Sequence, residues 1–108
     1  GWHFPGGGIE WRETAEEALG RELREEAGVI ASGRPVLHGI FANFAALPSD
    51  HIAVFVVREW TRPSVPAPNR EIVESRFFPR DALPPGTVGG AIRRLAEIFD
   101  RAPIEPHW

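Results

Sequence analysis

Glu22, Glu25 and Glu26 stand three and four residues apart, a spacing that makes side chains neighbours on the surface of a helix. Like charges at these spacings destabilise a helix by roughly a few tenths of a kcal/mol per pair, so a positive group is expected among them. Carboxylate oxygens without a thiol or imidazole nearby suit Mg²⁺ or Mn²⁺ better than zinc or copper. The spacing therefore predicts a divalent metal site made of oxygen ligands alone.

The helix that must carry these glutamates has a beginning and an end in the sequence. Thr14 and Glu17 have the spacing of a capping box, in which the two side chains satisfy free backbone N–H groups of the first turn. Gly28 is the residue type that most often ends a helix in the left-handed conformation. A helix is therefore predicted over residues 15–27.

On a helical wheel of roughly 100° per residue, the apolar residues of this helix gather on one side. Those that mark this stripe are Ala15, Ala18 and Leu19. The three glutamates continue it, so the core-facing stripe becomes acidic. The residues predicted on the opposite, solvated side are Glu16, Glu17, Arg21 and Arg24. A charged surface helix is the simpler interpretation, and the repulsion within the stripe argues against it.

Strands and one more helix are predicted around this element. Strand composition occurs at residues 36–40, at 52–60 and, briefly, at 76–78. The run 52–57 is apolar on both faces, which is typical of a central strand. A proline-rich loop is predicted at 61–69. A last helix is predicted at 88–100, with its buried face formed by Ile92, Leu95, Ala96 and Phe99.

Composition bounds the class of protein. A chain of 108 residues has room for one domain, predicted as 1–108. No apolar run approaches the ~20 residues of a membrane helix, and the N-terminus has no secretory signal, so a cytoplasmic location without membrane contact is expected. The absence of cysteine excludes disulfide scaffolds and thiol nucleophiles. A net charge of −3 with scattered arginines argues against a nucleic acid partner. The histidines are predicted to be surface or capping residues: His3, His38, His51 and His107.

A family resemblance is carried by Gly7, by Glu13 after five residues, and by residues 21–29 after seven more, which read RELREEAGV. This pattern resembles a complete box of the Nudix hydrolases, and the preceding Phe4-Pro5-Gly6-Gly7 resembles its usual lead-in. The resemblance implies an α/β protein, a Nudix α/β/α sandwich with a mixed β-sheet. Family members usually have further strands before the lead-in, which this chain is expected to lack. A homodimer or a sheet-completing segment would then supply them.

The resemblance also implies roles for individual residues. Glu22, Glu25 and Glu26 would be metal ligands, with Glu22 and Glu25 also counted as catalytic, and Arg21 would orient the glutamates through ion pairs. Gly6 and Gly7 would shape the substrate loop against the helix. Glu71 would be the general base or a further ligand, with Glu74 as the second candidate. The cofactor would be Mg²⁺ or Mn²⁺, which offsets the charge on phosphoryl oxygens during attack by water.

The activity so implied is hydrolysis of the diphosphate linkage of a small nucleoside diphosphate derivative. The chain lacks the tyrosine typical of diadenosine-polyphosphate hydrolases and the cysteine of isoprenoid-diphosphate isomerases. Phe44 and Ala45 stand where ADP-ribose hydrolases tend to have a proline. A (deoxy)nucleoside triphosphate or a nucleotide sugar therefore stays open as the substrate.

Two other classes of function compete with this interpretation. The first is a catalytically silent Nudix-like module that binds a nucleotide and regulates a partner, although silent relatives usually lose one of the glutamates. The second is a metal-free interaction domain whose helix is merely acidic.

Overall fold

The computed structural model describes residues 1–68 and 74–108. In chain order its elements are helix α1 (Ala15–Glu22), a π-helical turn (Leu23–Ala27), strands β1 (Ile30–Ala31), β2 (Val36–Ala42), β3 (His51–Val56) and β4 (Trp60–Thr61), and helix α2 (Gly89–Asp100). We call α1 and the π turn together the box helix. The protein is a small mixed α/β structure whose paired strands are antiparallel.

The chain divides into two compact units. The sheet unit consists of Gly1–His3, Val36–Val56 and Phe78–Trp108. The box unit consists of Phe4–Pro35 and Val57–Phe77, and it contains the box helix and the short β1–β4 pair.

The box helix begins where the capping box predicts. The Thr14 hydroxyl accepts the backbone N–H of Glu17, and the Glu17 carboxylate accepts the N–H of Thr14, both at 3.1 Å. The predicted bounds of 15–27 are confirmed, with the difference that the last five residues form a π turn rather than an α-helix. π turns are rare and occur frequently at functional sites.

Gly28 ends the box helix in the left-handed conformation, with φ 67° and ψ 20°. Its N–H donates to the carbonyl of Arg24 and the next N–H, of Val29, donates to the carbonyl of Leu23, both at 3.1 Å. A Cβ at position 28 would also collide with the backbone carbonyl of Ser64. Glycine is therefore required here both for its conformation and for its lack of a side chain.

In the sheet unit, β2 and β3 form an antiparallel hairpin that pairs Val36 with Val56 and Ala42 with His51. The prediction that residues 52–57 form a central strand is wrong. They lie in β3, which among the described residues pairs with β2 alone. The strand predicted at 52–60 ends at Val56, and Trp60–Thr61 form the separate strand β4. The predicted strand at 76–78 is also wrong, since the structure has no strand there.

Helix α2 has the predicted bounds to within one residue, but its predicted buried face is wrong. Ile92 and Phe99 are exposed. The buried residues are Gly90, Ala91, Arg94 and Glu97. Their spacing follows the helical period, so the helix is amphipathic around a stripe that contains two charges.

The two buried charges of α2 neutralise one another. Arg94 donates from Nη2 to Glu97 Oε2 at 2.9 Å, and its guanidinium lies 3.8 Å from the ring centre of the fully buried Phe41. The ring of His38 meets Glu97 Oε1 at 2.8 Å and its side chain is 10% exposed. The prediction that His38 is a surface or capping residue is therefore wrong. Burial alone would raise the pKa of Glu97, but His38, the N–H of Glu105 and Arg94 together hold that pKa below its ordinary value.

Candidate active site

Arg21 lies at the centre of a carboxylate cluster in the box unit. Glu13 takes two hydrogen bonds from it, Nε to Oε2 at 2.9 Å and Nη2 to Oε1 at 3.0 Å. Its Nη1 donates to Glu22 Oε1 at 2.6 Å and lies 3.5 Å from Glu25 Oε2. Arg21 is therefore the positive group that the spacing of the glutamates leads one to expect.

The placement of Arg21 corrects the helical wheel. Its side chain is only 17% exposed, so the prediction of a solvated side is wrong for this residue. The carbonyl of Gly8 accepts from Nη2 at 3.0 Å, and Glu10 lies 3.8 Å from Nε. The loop before the helix thus folds over the guanidinium. A wheel locates the Cβ atom, whereas a long side chain can place its charged end on a neighbouring face.

Glu13 and Arg21 hold each other in their charged forms. The hydrogen bond from Arg21, followed by the N–H of Glu10, lowers the pKa of Glu13 from 4.5 to about 2. Hydrogen bonds to Glu13 and Glu22 raise the pKa of Arg21 above its ordinary value. The bidentate pair therefore stays ionised throughout the physiological pH range.

The glycine loop lies directly against the glutamates. Glu26 Oε2 accepts the backbone N–H of Gly6 at 2.7 Å. A Cβ at Gly7 would collide with the carboxylate of Glu22. The structure thus brings both predicted loop residues to two of the three glutamates, and close approach accounts for the glycine at position 7.

The three glutamates differ in their surroundings. Glu22 is 13% exposed and faces Arg21, Glu26 is half-buried and turned to the Gly6 N–H, and Glu25 is 60% exposed. In residues 1–68 and 74–108, no three Asp, Glu or His side chains converge tightly enough to enclose a metal ion. All the donors are carboxylate oxygens, which fits a hard divalent cation. The chemistry of this donor set therefore fits Mg²⁺.

Of the two candidates for the general base, the structure describes Glu74. Glu71 lies outside the described residues. Glu74 is exposed and its carboxylate forms an ion pair with Arg76.

Arg62 contacts the box helix, a role that sequence reasoning missed. Its Nε donates to the carbonyl of Ala27, the last residue of the π turn, at 2.8 Å. Its Nη2 donates to the carbonyl of Ser75 at 3.3 Å, and its guanidinium lies 5.0 Å from the ring centre of Phe77. An isolated arginine in a proline-rich loop carries no spacing signal, so only the structure reveals this contact.

Several curated proteins are similar to parts of the chain. The 8-oxo-dGTP diphosphatase of Proteus vulgaris is 43% identical over 61 residues, which are 55% of this chain and 52% of that protein. The RNA pyrophosphohydrolase of Pseudomonas aeruginosa strain LESB58 is 58% identical over 36 residues, 33% of this chain and 23% of that protein. The RNA pyrophosphohydrolase of Acinetobacter baylyi is 62% identical over 29 residues, 27% of this chain and 18% of that protein.

The chain spans about half the length, or less, of these curated relatives. No solved structure matches it significantly. A model described as the NUDIX domain matches residues 1–98, which include the glycine loop, the box helix and most of α2. By that match, the chain belongs to the Nudix family.

Proposed function

We propose that this Nudix protein is a Mg²⁺- or Mn²⁺-dependent pyrophosphohydrolase that cleaves the diphosphate linkage of a nucleoside diphosphate derivative, either a (deoxy)nucleoside triphosphate or a nucleotide sugar. The observation that carries the proposal is the arrangement of Arg21, Glu22 and the Gly6–Gly7 loop in the box unit. The names of the relatives, a diphosphatase and a pyrophosphohydrolase, support the same class of reaction.

Glu22, Glu25 and Glu26 would hold the divalent metal that hydrolases of this family generally use. When bound, the metal offsets negative charge on the phosphoryl oxygens. Arg21, itself held by Glu13, orients the Glu22 carboxylate. The N–H of Gly6 orients the carboxylate of Glu26. These contacts fix the ligands from outside, as hydrogen bonds to ligating carboxylates commonly do.

The general base is proposed to be Glu71, with Glu74 as the second candidate. Glu74 would have to leave its ion pair with Arg76 to act. A carboxylate that accepts a proton from water affects the chemical step more than metal affinity, so the two roles of Glu71 are separable by kinetics.

We also propose that residues 1–108 form parts of one Nudix domain with the family's α/β/α sandwich. The family match supports this, because residues 1–98 run through both units. The proposal includes a homodimer, or a further segment of chain, that supplies the strands this chain is expected to lack.

A catalytically silent, nucleotide-binding module is the alternative. The complete set of box glutamates and the Arg21 contacts favour catalysis, because a silent module needs neither.

The direct test is hydrolysis of a panel of dGTP, 8-oxo-dGTP, nucleotide sugars and a triphosphate-ended RNA oligonucleotide, read by chromatography as the appearance of the nucleoside monophosphate or the monophosphate-ended RNA. Activity with Mg²⁺ or Mn²⁺ that EDTA abolishes is expected with at least one small nucleotide. Turnover on RNA alone would overturn the small-molecule substrate class. No turnover on any member, with nucleotide binding retained, would favour the silent module.

The site assignment is tested by charge-removing variants on one helix. Glu25→Gln and Glu26→Gln are each expected to lower turnover by orders of magnitude with unchanged circular dichroism. The matched control is Glu16→Gln on the same helix, whose side chain is 47% exposed and lies outside the cluster. Near-normal activity in both site variants would remove the assigned metal site.

A further inference from the structure

Two exposed aromatic rings stack in the box unit, beside the end of the box helix. The rings of Trp60 and Phe77 are nearly parallel, with an interplanar angle of 8° and centres 4.7 Å apart. The guanidinium of Arg62 lies over the same Phe77 ring at 5.0 Å. The two rings and the guanidinium therefore form a three-membered stack, held by aromatic and cation–π contacts.

Backbone pairing and side-chain hydrogen bonds hold the residues of this stack in place. Trp60 belongs to β4, where it pairs with Ala31 of β1. Arg62 is anchored to the carbonyl of Ala27 at the end of the box helix and to the carbonyl of Ser75. The stack is therefore attached, through Arg62, to the same helix that carries the glutamates.

Trp60 stays partly exposed although it is stacked. Phe77 covers one face of the indole, yet the residue remains 41% exposed. An exposed aromatic ring in the unit that holds the proposed diphosphate site is a surface on which a nucleobase can stack, because every base has a flat π face.

We infer that the indole of Trp60 is the stacking surface for the base of the nucleotide substrate, with Phe77 and Arg62 as the support that holds it. The inference rests on the proposed function, because a nucleoside diphosphate derivative brings a base to the site. A purine overlaps the two-ring indole over a larger area than a pyrimidine does. Purine nucleotides are therefore the preferred class.

Trp11 provides a contrast within the same unit. It is 88% exposed, and the ring contact that the structure gives it is the neighbouring Arg12, 5.4 Å from its centre. An aromatic ring without a stacked support must be ordered by the ligand, which lowers affinity. Trp11 is thus a matched control for a tryptophan that is merely exposed.

The test compares the binding of GMP, UMP and ribose 5-phosphate in the presence of Mg²⁺ by isothermal titration calorimetry. The parent is expected to bind GMP more tightly than UMP, and ribose 5-phosphate weakest. Trp60→Leu is expected to weaken GMP binding by roughly 5- to 100-fold, the usual worth of one stacked base, and to leave ribose 5-phosphate unchanged. Trp60→Phe should retain most of the affinity, and Trp11→Leu all of it.

Equal binding of GMP and ribose 5-phosphate by the parent would overturn the inference, whatever the variants do. So would unchanged GMP affinity in a folded Trp60→Leu, or an equal loss in Trp11→Leu. If Trp60→Leu does not fold, Trp60→Phe and the parent's preference for the base decide the matter. Hydrolysis with no base preference would leave the proposed function standing and the stacking site refuted. Base-dependent binding without hydrolysis would leave the stacking site standing and refute the proposed hydrolase function.

Discussion

Glu13 holds the guanidinium of Arg21 by two hydrogen bonds, at 2.9 and 3.0 Å, from a position eight residues earlier in the chain. Neither residue is a proposed metal ligand. Their pairing joins the loop before the box helix to the helix itself, and through Nη1 of Arg21 it reaches Glu22 at 2.6 Å. The orientation of one proposed ligand therefore depends on a contact made outside the set of ligands.

The first prediction concerns pH. The pKa of Glu13 is lowered from 4.5 to about 2 by folding. A carboxylate with a depressed folded pKa stabilises the protein fully above its unfolded pKa, and this stabilisation is lost as pH falls towards the folded pKa. The melting temperature of the parent should exceed that of Glu13→Gln by a constant amount above about pH 5, and the difference should shrink between pH 4.5 and 2. A difference in melting temperature that stays constant down to pH 2 would contradict the lowered pKa of Glu13.

A second prediction concerns the shape of the Arg21 side chain. Arg21→Lys keeps the charge but cannot make the bidentate contact to Glu13. We expect a fall in turnover of roughly 10- to 100-fold, the usual cost of losing a residue that orients a metal ligand, with a weaker apparent affinity for Mg²⁺. Arg24→Lys, an exposed residue of the same helix, is the control and should be neutral. Equal effects of the two substitutions would show that Arg21 acts only through general charge.

A third prediction compares neighbouring glycines. Gly7→Ala places a methyl group where the Glu22 carboxylate lies, whereas a Cβ at Gly8 meets nothing within 4 Å. Gly7→Ala should therefore lower turnover by about 100-fold, because a displacement of roughly 1 Å in a catalytic group has that cost. Gly8→Ala should lie within about twofold of the parent, since it keeps the backbone carbonyl that accepts from Arg21 and its added methyl group meets no neighbour. Steady-state kinetics of the two purified variants decide the prediction, which fails if they behave alike.

A fourth prediction concerns the stability of the sheet unit. Glu97→Ala removes the carboxylate that pairs with the fully buried Arg94. Breaking one side of a buried ion pair leaves an uncompensated charge, so the free energy of unfolding should fall by about 3–5 kcal/mol. Urea denaturation followed by circular dichroism measures this difference. Glu105→Ala is the control, because it keeps the backbone N–H that Glu97 accepts. A loss below about 1 kcal/mol for Glu97→Ala would contradict the interpretation of Arg94 and Glu97 as a buried ion pair.

The ends of the box helix are predictable from sequence because capping is local. Thr14 and Glu17 bond each other within one turn, and Gly28 supplies a conformation that few other residues adopt. The position of Arg21 is not predictable in this way. Its partner Glu13 lies outside the helix, and the loop that carries Glu13 reaches the guanidinium only in the folded chain.

The buried face of α2 illustrates a second limit. Hydropathy favours Ile92 and Phe99 for the core, yet both are exposed, and Arg94 and Glu97 are buried instead. Two opposite charges that bond each other can be buried together at an acceptable cost. Glu97 also contacts His38, a residue 59 positions away, and no periodicity contains that information.

The contact between Gly28 and Ser64 limits how this protein can evolve. An asparagine at position 28 would tolerate the left-handed conformation but would still collide with the Ser64 carbonyl. Moving the Ser64 segment away would make room for a side chain but would leave the conformation unfavourable for most residue types. No single substitution removes both obstacles, so every one-step mutational path away from glycine at this position passes through a defective protein. Position 28 is therefore expected to stay glycine in descendants of this chain.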